Sequence, residues 1–106
     1  MKFAKIDASA SGDNSIVAAV TGRRIRVVGY TIIASGAVTA KWRSASTDIS
    51  GGMALAANGG AAPAVSVISP GGLFGVLQTE PGEALNLNLG AAVSVGGHLT
   101  YIEVAV

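Results

Sequence analysis

The chain has no cysteine, one histidine and little charge. Without cysteine neither a disulfide nor a thiolate metal site can form, so the sequence records nothing about the redox state of its compartment. Zinc takes three or four protein ligands, so the one histidine, His98, predicts no zinc site within a single chain, and only symmetry-related copies could multiply it. Charged residues make up 12% of the chain, where an average soluble domain has roughly 25%. So little charge cannot cover a monomer with solvated side chains, and some apolar surface is expected to face another protein. Seven Lys and Arg against six Asp and Glu leave a net charge of +1, far from the basic excess of a nucleic-acid binder.

Membrane and export signals are also missing. The stretch from Ile49 to Thr79 carries no charge, but glycine pairs at 51–52, 59–60 and 71–72 and prolines at 63 and 70 interrupt it. A membrane helix needs about 20 mostly apolar residues without such breaks. The opening "MKFAKID" lacks a following apolar run with a cleavage site, so no signal peptide is expected. No stretch joins helical periodicity to an N-cap and a C-cap.

What remains is strand and turn chemistry. Half of the 106 residues are hydrophobic, which argues against disorder and predicts one domain over residues 1–106. Fifteen glycines and three prolines separate short runs rich in Val, Ile and Thr. Strands are predicted over residues 3–7, 15–20, 23–34, 37–44, 53–57, 65–68, 73–78, 84–89, 93–95 and 98–104. The polar loop "SASGDNS" and the pair Asn58-Gly59 read as turns. About eight or nine short strands at this spacing predict an all-β fold, an antiparallel β-sandwich or a barrel.

Two predicted strands carry most of the information. Residues 23–34 are apolar on both faces from Val27 onward, with Val27 and Ile33 on one side and Val28, Tyr30 and Ile32 on the other. Such a strand is central, or a partner covers its second face. Ser35-Gly36 then predicts a tight hairpin into "AVTAKWRS", where alternation puts Val38, Ala40 and Trp42 in the core and Lys41 and Arg43 outside. In "LNLNL" the same alternation turns Leu85, Leu87 and Leu89 inward and Asn86 and Asn88 outward.

Catalytic chemistry finds little support. A serine nucleophile needs a base and an orienting acid in contact, and no G-x-S-x-G elbow accompanies His98. Glu80 and Glu83 flank "PG" on two arms of a turn and read as solvated, since no apolar pocket is implied to raise the pKa of either. Asp13-Asn14-Ser15 lacks the spacing of a calcium loop, and the glycine pairs form no phosphate cradle. The reading is therefore not an enzyme, with no cofactor and no metal. Arg23, Arg24 and Arg26 form the densest cationic cluster; they are a solvated strand entrance or a patch that docks on an acidic protein surface. Asn86 and Asn88 face water or hydrogen-bond across a subunit interface.

The segments "IIASGAVTAKWRSASTDISGGMALAANGG" (Ile32 to Gly60) and "GEALNLNLGAAVSVGGHLTYIEV" (Gly82 to Val104) together resemble small structural proteins of tailed bacteriophages. Among characterised proteins they look most like head decoration, or cement, proteins with a jelly-roll-like sandwich. The resemblance covers about half of the chain. It implies a virion protein assembled in the host cytoplasm, a trimer or other small homo-oligomer, seated on the capsid exterior and bridging major capsid proteins, with no nucleic acid or membrane partner. The alternative is a tail- or fibre-associated glycan-binding domain that uses exposed Trp42, Tyr30 or Tyr101.

Overall fold

A computed structural model describes residues 2–62 and 75–105. Its strands are β1 (Lys2–Ala8), β2 (Gly12–Val17), β3 (Arg23–Ala34), β4 (Val38–Ser44), β5 (Thr47–Asp48), β6 (Met53–Leu55), β7 (Gly60–Ala61), β8 (Leu77–Gln78), β9 (Leu85–Leu89) and β10 (Val95–Ala105). Among the described residues there is no helix. The predicted strand at 65–68, and the first two residues of the one at 73–78, lie outside the described residues.

Pairing is nested. β1 pairs with β10, β2 with β9, β3 with β7 and β8, and β4 with β5 and β6, all antiparallel. The chain is thus a long antiparallel ribbon, and rolling it adds the pairs β10–β3 and β9–β4. Two five-stranded sheets result, the first ordered β1-β10-β3-β7 with β8 also on β3, the second β2-β9-β4-β5 with β6 also on β4. This is an antiparallel β-sandwich, one of the two architectures that the strand spacing predicts, with the jelly-roll strand order that the resemblance implies.

The inward faces of both sheets meet in one core. Ile6, Ile25, Val27, Ile32 and Leu99 of the first sheet face Trp42, Leu85, Leu87 and Leu89 of the second. Trp42 is fully buried, and its ring meets Tyr30 of the opposite sheet edge-on, with centroids 5.1 Å apart. Such a pairing suits the ring quadrupoles and holds the sheets in register.

The loop read in "SASGDNS" is in part strand, since β2 runs Gly12–Val17 against a predicted 15–20, and three further predictions need correction. Ser35-Gly36 is not the turn of a hairpin, because β3 and β4 lie in different sheets. The apolar faces of both strands are buried against each other, so the bend carries the chain across the core. For the same reason β9 and β10 are not sheet neighbours: the segment from 82 to 104 faces itself across the sandwich. Its expected strands at 93–95 and 98–104 are one strand, β10.

The third correction concerns the two apolar faces of residues 23–34. The register between β10 and β3 shifts at Thr100/Tyr101, where Thr100 opposes Gly29 and Tyr101 opposes Val27. Val28 is the extra residue of a β-bulge, and a bulge switches the side-chain parity. Val27 therefore points into the same core as Ile32, while Ile33 is 51% exposed.

The turn before β9 is fastened from within. Ser44, fully buried at the end of β4, accepts a hydrogen bond from the Glu80 amide at 2.9 Å and donates one to the Glu83 carboxylate at 2.6 Å. Nearby, buried Thr79 accepts the Ile25 amide at 2.9 Å. Replacing Ser44 by alanine leaves the Glu80 amide without this acceptor and is expected to cost about 2 kcal/mol, read as a lowered urea midpoint with an unchanged m-value.

Candidate interaction surfaces

Two shallow depressions of the described residues hold no set of nucleophile, base and acid. One is lined by Val38, Thr39, Leu55 and Gly90, the other by Arg26, Val76, Leu77 and Gln78. His98 is exposed on the outer side of β10, opposite Lys5 on β1 and Thr31 on β3. Glu83 receives the Ser44 hydroxyl, while Glu80 is exposed with its carboxylate 3.9 Å from Arg24. Among the described residues no group of three His, Cys, Asp or Glu side chains is placed to hold a metal. The surfaces worth weighing are therefore the two outer faces of the sandwich, which differ in chemistry.

The outer face of the second sheet is polar and internally paired. Arg43 lies between Asp13 and Asp48, with ion-pair distances of 3.3 Å and 3.0 Å, and it also donates to the Ser46 carbonyl. Lys41 reaches Asp48 at 3.1 Å. Alternation turns Asn86 and Asn88 outward onto this face, as the sequence predicts, and both are half-buried. Asn88 donates to Asp13 at 2.8 Å, and Asn86 donates to the Ala45 carbonyl at 2.9 Å. Their amides thus bind neighbouring parts of their own chain. Asparagine disfavours strands, and here it is kept by partners on β2 and on the turn after β4.

The outer face of the first sheet differs. Register rows across β1, β10 and β3 run Asp7–Gly96–Ile33, Lys5–His98–Thr31 and Phe3–Thr100–Gly29. Beyond them Ile102 lies opposite Arg26, and Val104 opposite Arg24. Phe3 is 78% exposed and Ile33 51%. Phe3 and Ile33 are thus exposed apolar residues on a mixed face, with Lys5 and His98 in the row between them and Asp7 in the row of Ile33.

The Arg cluster is split by its own alternation. Ile25 is buried in the core, Arg23 is exposed where β3 begins, and Arg24 and Arg26 project outward at one end of that face. Arg26 donates from Nε to the Gln78 side chain at 2.9 Å. The five sequence-predicted contact residues therefore fall on opposite sides of the sandwich: Arg23, Arg24 and Arg26 with the first sheet, Asn86 and Asn88 with the second. Sequence reasoning missed Phe3 and Ile33 as exposed apolar residues, although the strict alternation around Phe3 in "KFAKID" could have placed that ring outside.

The aromatics named for glycan binding are turned inward. Trp42 is fully buried, and Tyr30 and Tyr101 are half-buried and packed against the core. Tyr30 also reaches the Met53 sulfur at 3.7 Å from its hydroxyl. No protein-family model, no curated protein and no solved structure matches this chain.

Proposed function

We propose that this chain is a non-enzymatic structural protein that decorates the head of a tailed bacteriophage. It binds the capsid exterior, bridges major capsid proteins and joins the particle in the host cytoplasm. The contrast between the two outer faces carries the proposal. The second sheet pairs its charges among its own residues, whereas the first presents Phe3 and Ile33 to solvent, with Lys5, Asp7 and His98 on the same face and Arg24 and Arg26, paired with Glu80 and Gln78, at one end. A partner suited to that face is a protein surface with an apolar centre and carboxylates at its rim. The resemblance of segments 32–60 and 82–104 to decoration proteins supplies the identity of that partner.

The size of the face fits a shell component. With strands spaced about 4.8 Å apart and a rise of about 3.3 Å per residue, three strands offer on the order of 500 Å² to one partner, at the low end for a specific contact. Single contacts of that size are weak, and a lattice of them adds up through effective concentration. The glycan-binding alternative gains no comparable support, because Trp42, the largest ring available for sugar stacking, is in the core.

Purified protein is expected to co-sediment stoichiometrically with expanded, DNA-free heads of the encoding phage, to raise their melting temperature and to dissociate as salt is added. The double variant Ile33→Asp/Arg24→Glu changes only residues that project outward and is expected to stay folded and remain in the supernatant. Wild-type protein that fails to bind such heads would overturn the reading.

A further inference from the structure

We propose that β1 is a self-pairing edge, and that two copies of this chain join by it into a two-fold dimer with one continuous first sheet. The inference does not depend on the capsid reading.

Among the described residues, the sandwich has two long edge strands on one side, β1 in the first sheet and β2 in the second. They are unequally protected. β2 is bulged, its register shifting between Ser15 and Val17. Its Asn14 side chain also donates to the Ala10 carbonyl at 2.9 Å and accepts the Ala10 amide at 3.3 Å, fastening the preceding turn. Bulges of this kind are how sheets blunt an edge. β1 is not bulged: its register with β10 runs without a shift from Lys2–Tyr101 to Ala8–Val95, and the charges on its edge are Lys2, Lys5 and Asp7. The remaining edge pieces, β5, β7 and β8, are two residues each, and β6 is three. A regular seven-residue strand whose outer side is unpaired among the described residues offers a row of amides and carbonyls to an extended partner.

The side chains of β1 specify which partner. In antiparallel pairing, directly opposed residues share a face and interact. If a two-fold axis passes through Ile6, Lys5 of each copy lies opposite Asp7 of the other. Both residues are exposed and project from the same outer face. The contact is isologous and self-complementary, with two attractive cross-strand charge pairs that come from one sequence feature, "KID". Moving the axis to Lys5 would set the two lysines against each other, so charge also fixes the register.

Sedimentation equilibrium with charge reversal tests this. Wild-type protein should be a reversible dimer whose dissociation constant rises with salt. Lys5→Asp alone, or Asp7→Lys alone, replaces two attractive pairs by two repulsive ones and should weaken the dimer on the order of tenfold or more. The double variant Lys5→Asp/Asp7→Lys restores opposite charges in the same register and should recover the wild-type constant. Melting of the dilute monomers should be alike in all four proteins, which separates lost pairing from lost folding. A monomer at high concentration, a three-fold assembly, or a dimer indifferent to the single reversals would overturn the proposal.

Discussion

Replacing Trp42 by alanine is expected to remove about 4 kcal/mol of stability. The indole is fully buried in β4, flanked in its own sheet by Leu87 and packed against Tyr30 of the other sheet. Its loss opens a cavity between two rigid sheets that cannot close without giving up their strand pairing, so little of the cost is recovered by relaxation. A domain of this size has roughly 5–15 kcal/mol to lose, and the melting temperature should fall by about 15–30 °C. The partner variant sharpens the test. The indole nitrogen has no hydrogen-bond partner among the described residues, so phenylalanine at 42 sacrifices no such bond. It should cost on the order of 1–2 kcal/mol, from volume alone. A Trp42→Phe protein as unstable as Trp42→Ala would mean that the N–H has a structural partner after all.

Gly97→Ala should be about as damaging, at about 3 kcal/mol or more. Gly97 sits in β10 with φ at +155°, between Ile6 of β1 and Ile32 of β3. An added Cβ would fall on the Thr31 carbonyl oxygen and 3.1 Å from the Ile32 Cα, both backbone atoms of the neighbouring strand. Side chains can rotate away from a clash, but a paired strand cannot. β10 and β3 would have to separate at the centre of the first sheet. The control lies one residue away. A Cβ on Gly96 would meet only the Ile6 carbonyl oxygen, at an ordinary 3.9 Å, so Gly96→Ala should be neutral or stabilising by about 0.5 kcal/mol through a less disordered unfolded chain. Urea unfolding of the two variants side by side reads the difference, and equal midpoints would contradict this account.

That pair of glycines marks a limit of what a sequence carries. In "VGGHL" the two are indistinguishable, and only the position of the β3 backbone separates them. The same holds for Val28. Period-two alternation reads residues 27–33 as apolar on both sides, because parity counted along a chain does not register an extra residue opposite one partner. Ser35-Gly36 is a turn in the sequence and a crossing between sheets in the structure, since a turn signal describes the local backbone and not the sheet a strand will join.

Other features were legible because they are local and periodic. The outward placement of Lys41 and Arg43, the burial of Trp42 and the inward leucines of "LNLNL" all follow from alternation over a strand with one buried face. Asn86 and Asn88 were placed on the correct side, yet their partners were not readable: Asp13 is 75 positions from Asn88, and the Ala45 carbonyl 41 from Asn86.

The sequence by itself determined an all-β sandwich, the residues of most of its core, and a chain too poor in charge, histidine and cysteine to suggest a built catalytic or metal site. The side-chain period of strands and the conformational freedom of glycine act over a few residues, so a linear reading captures them. The tertiary structure alone decided that the two outer faces differ, one a network of paired polar side chains and the other a mixed face that exposes Phe3 and Ile33, and that β1 rather than β2 is the regular edge. Those properties arise when strands far apart in the chain are set side by side, and nested pairing of its first strand with its last brings together residues up to 101 positions apart, as in the 2.9 Å ion pair of Lys2 and Glu103.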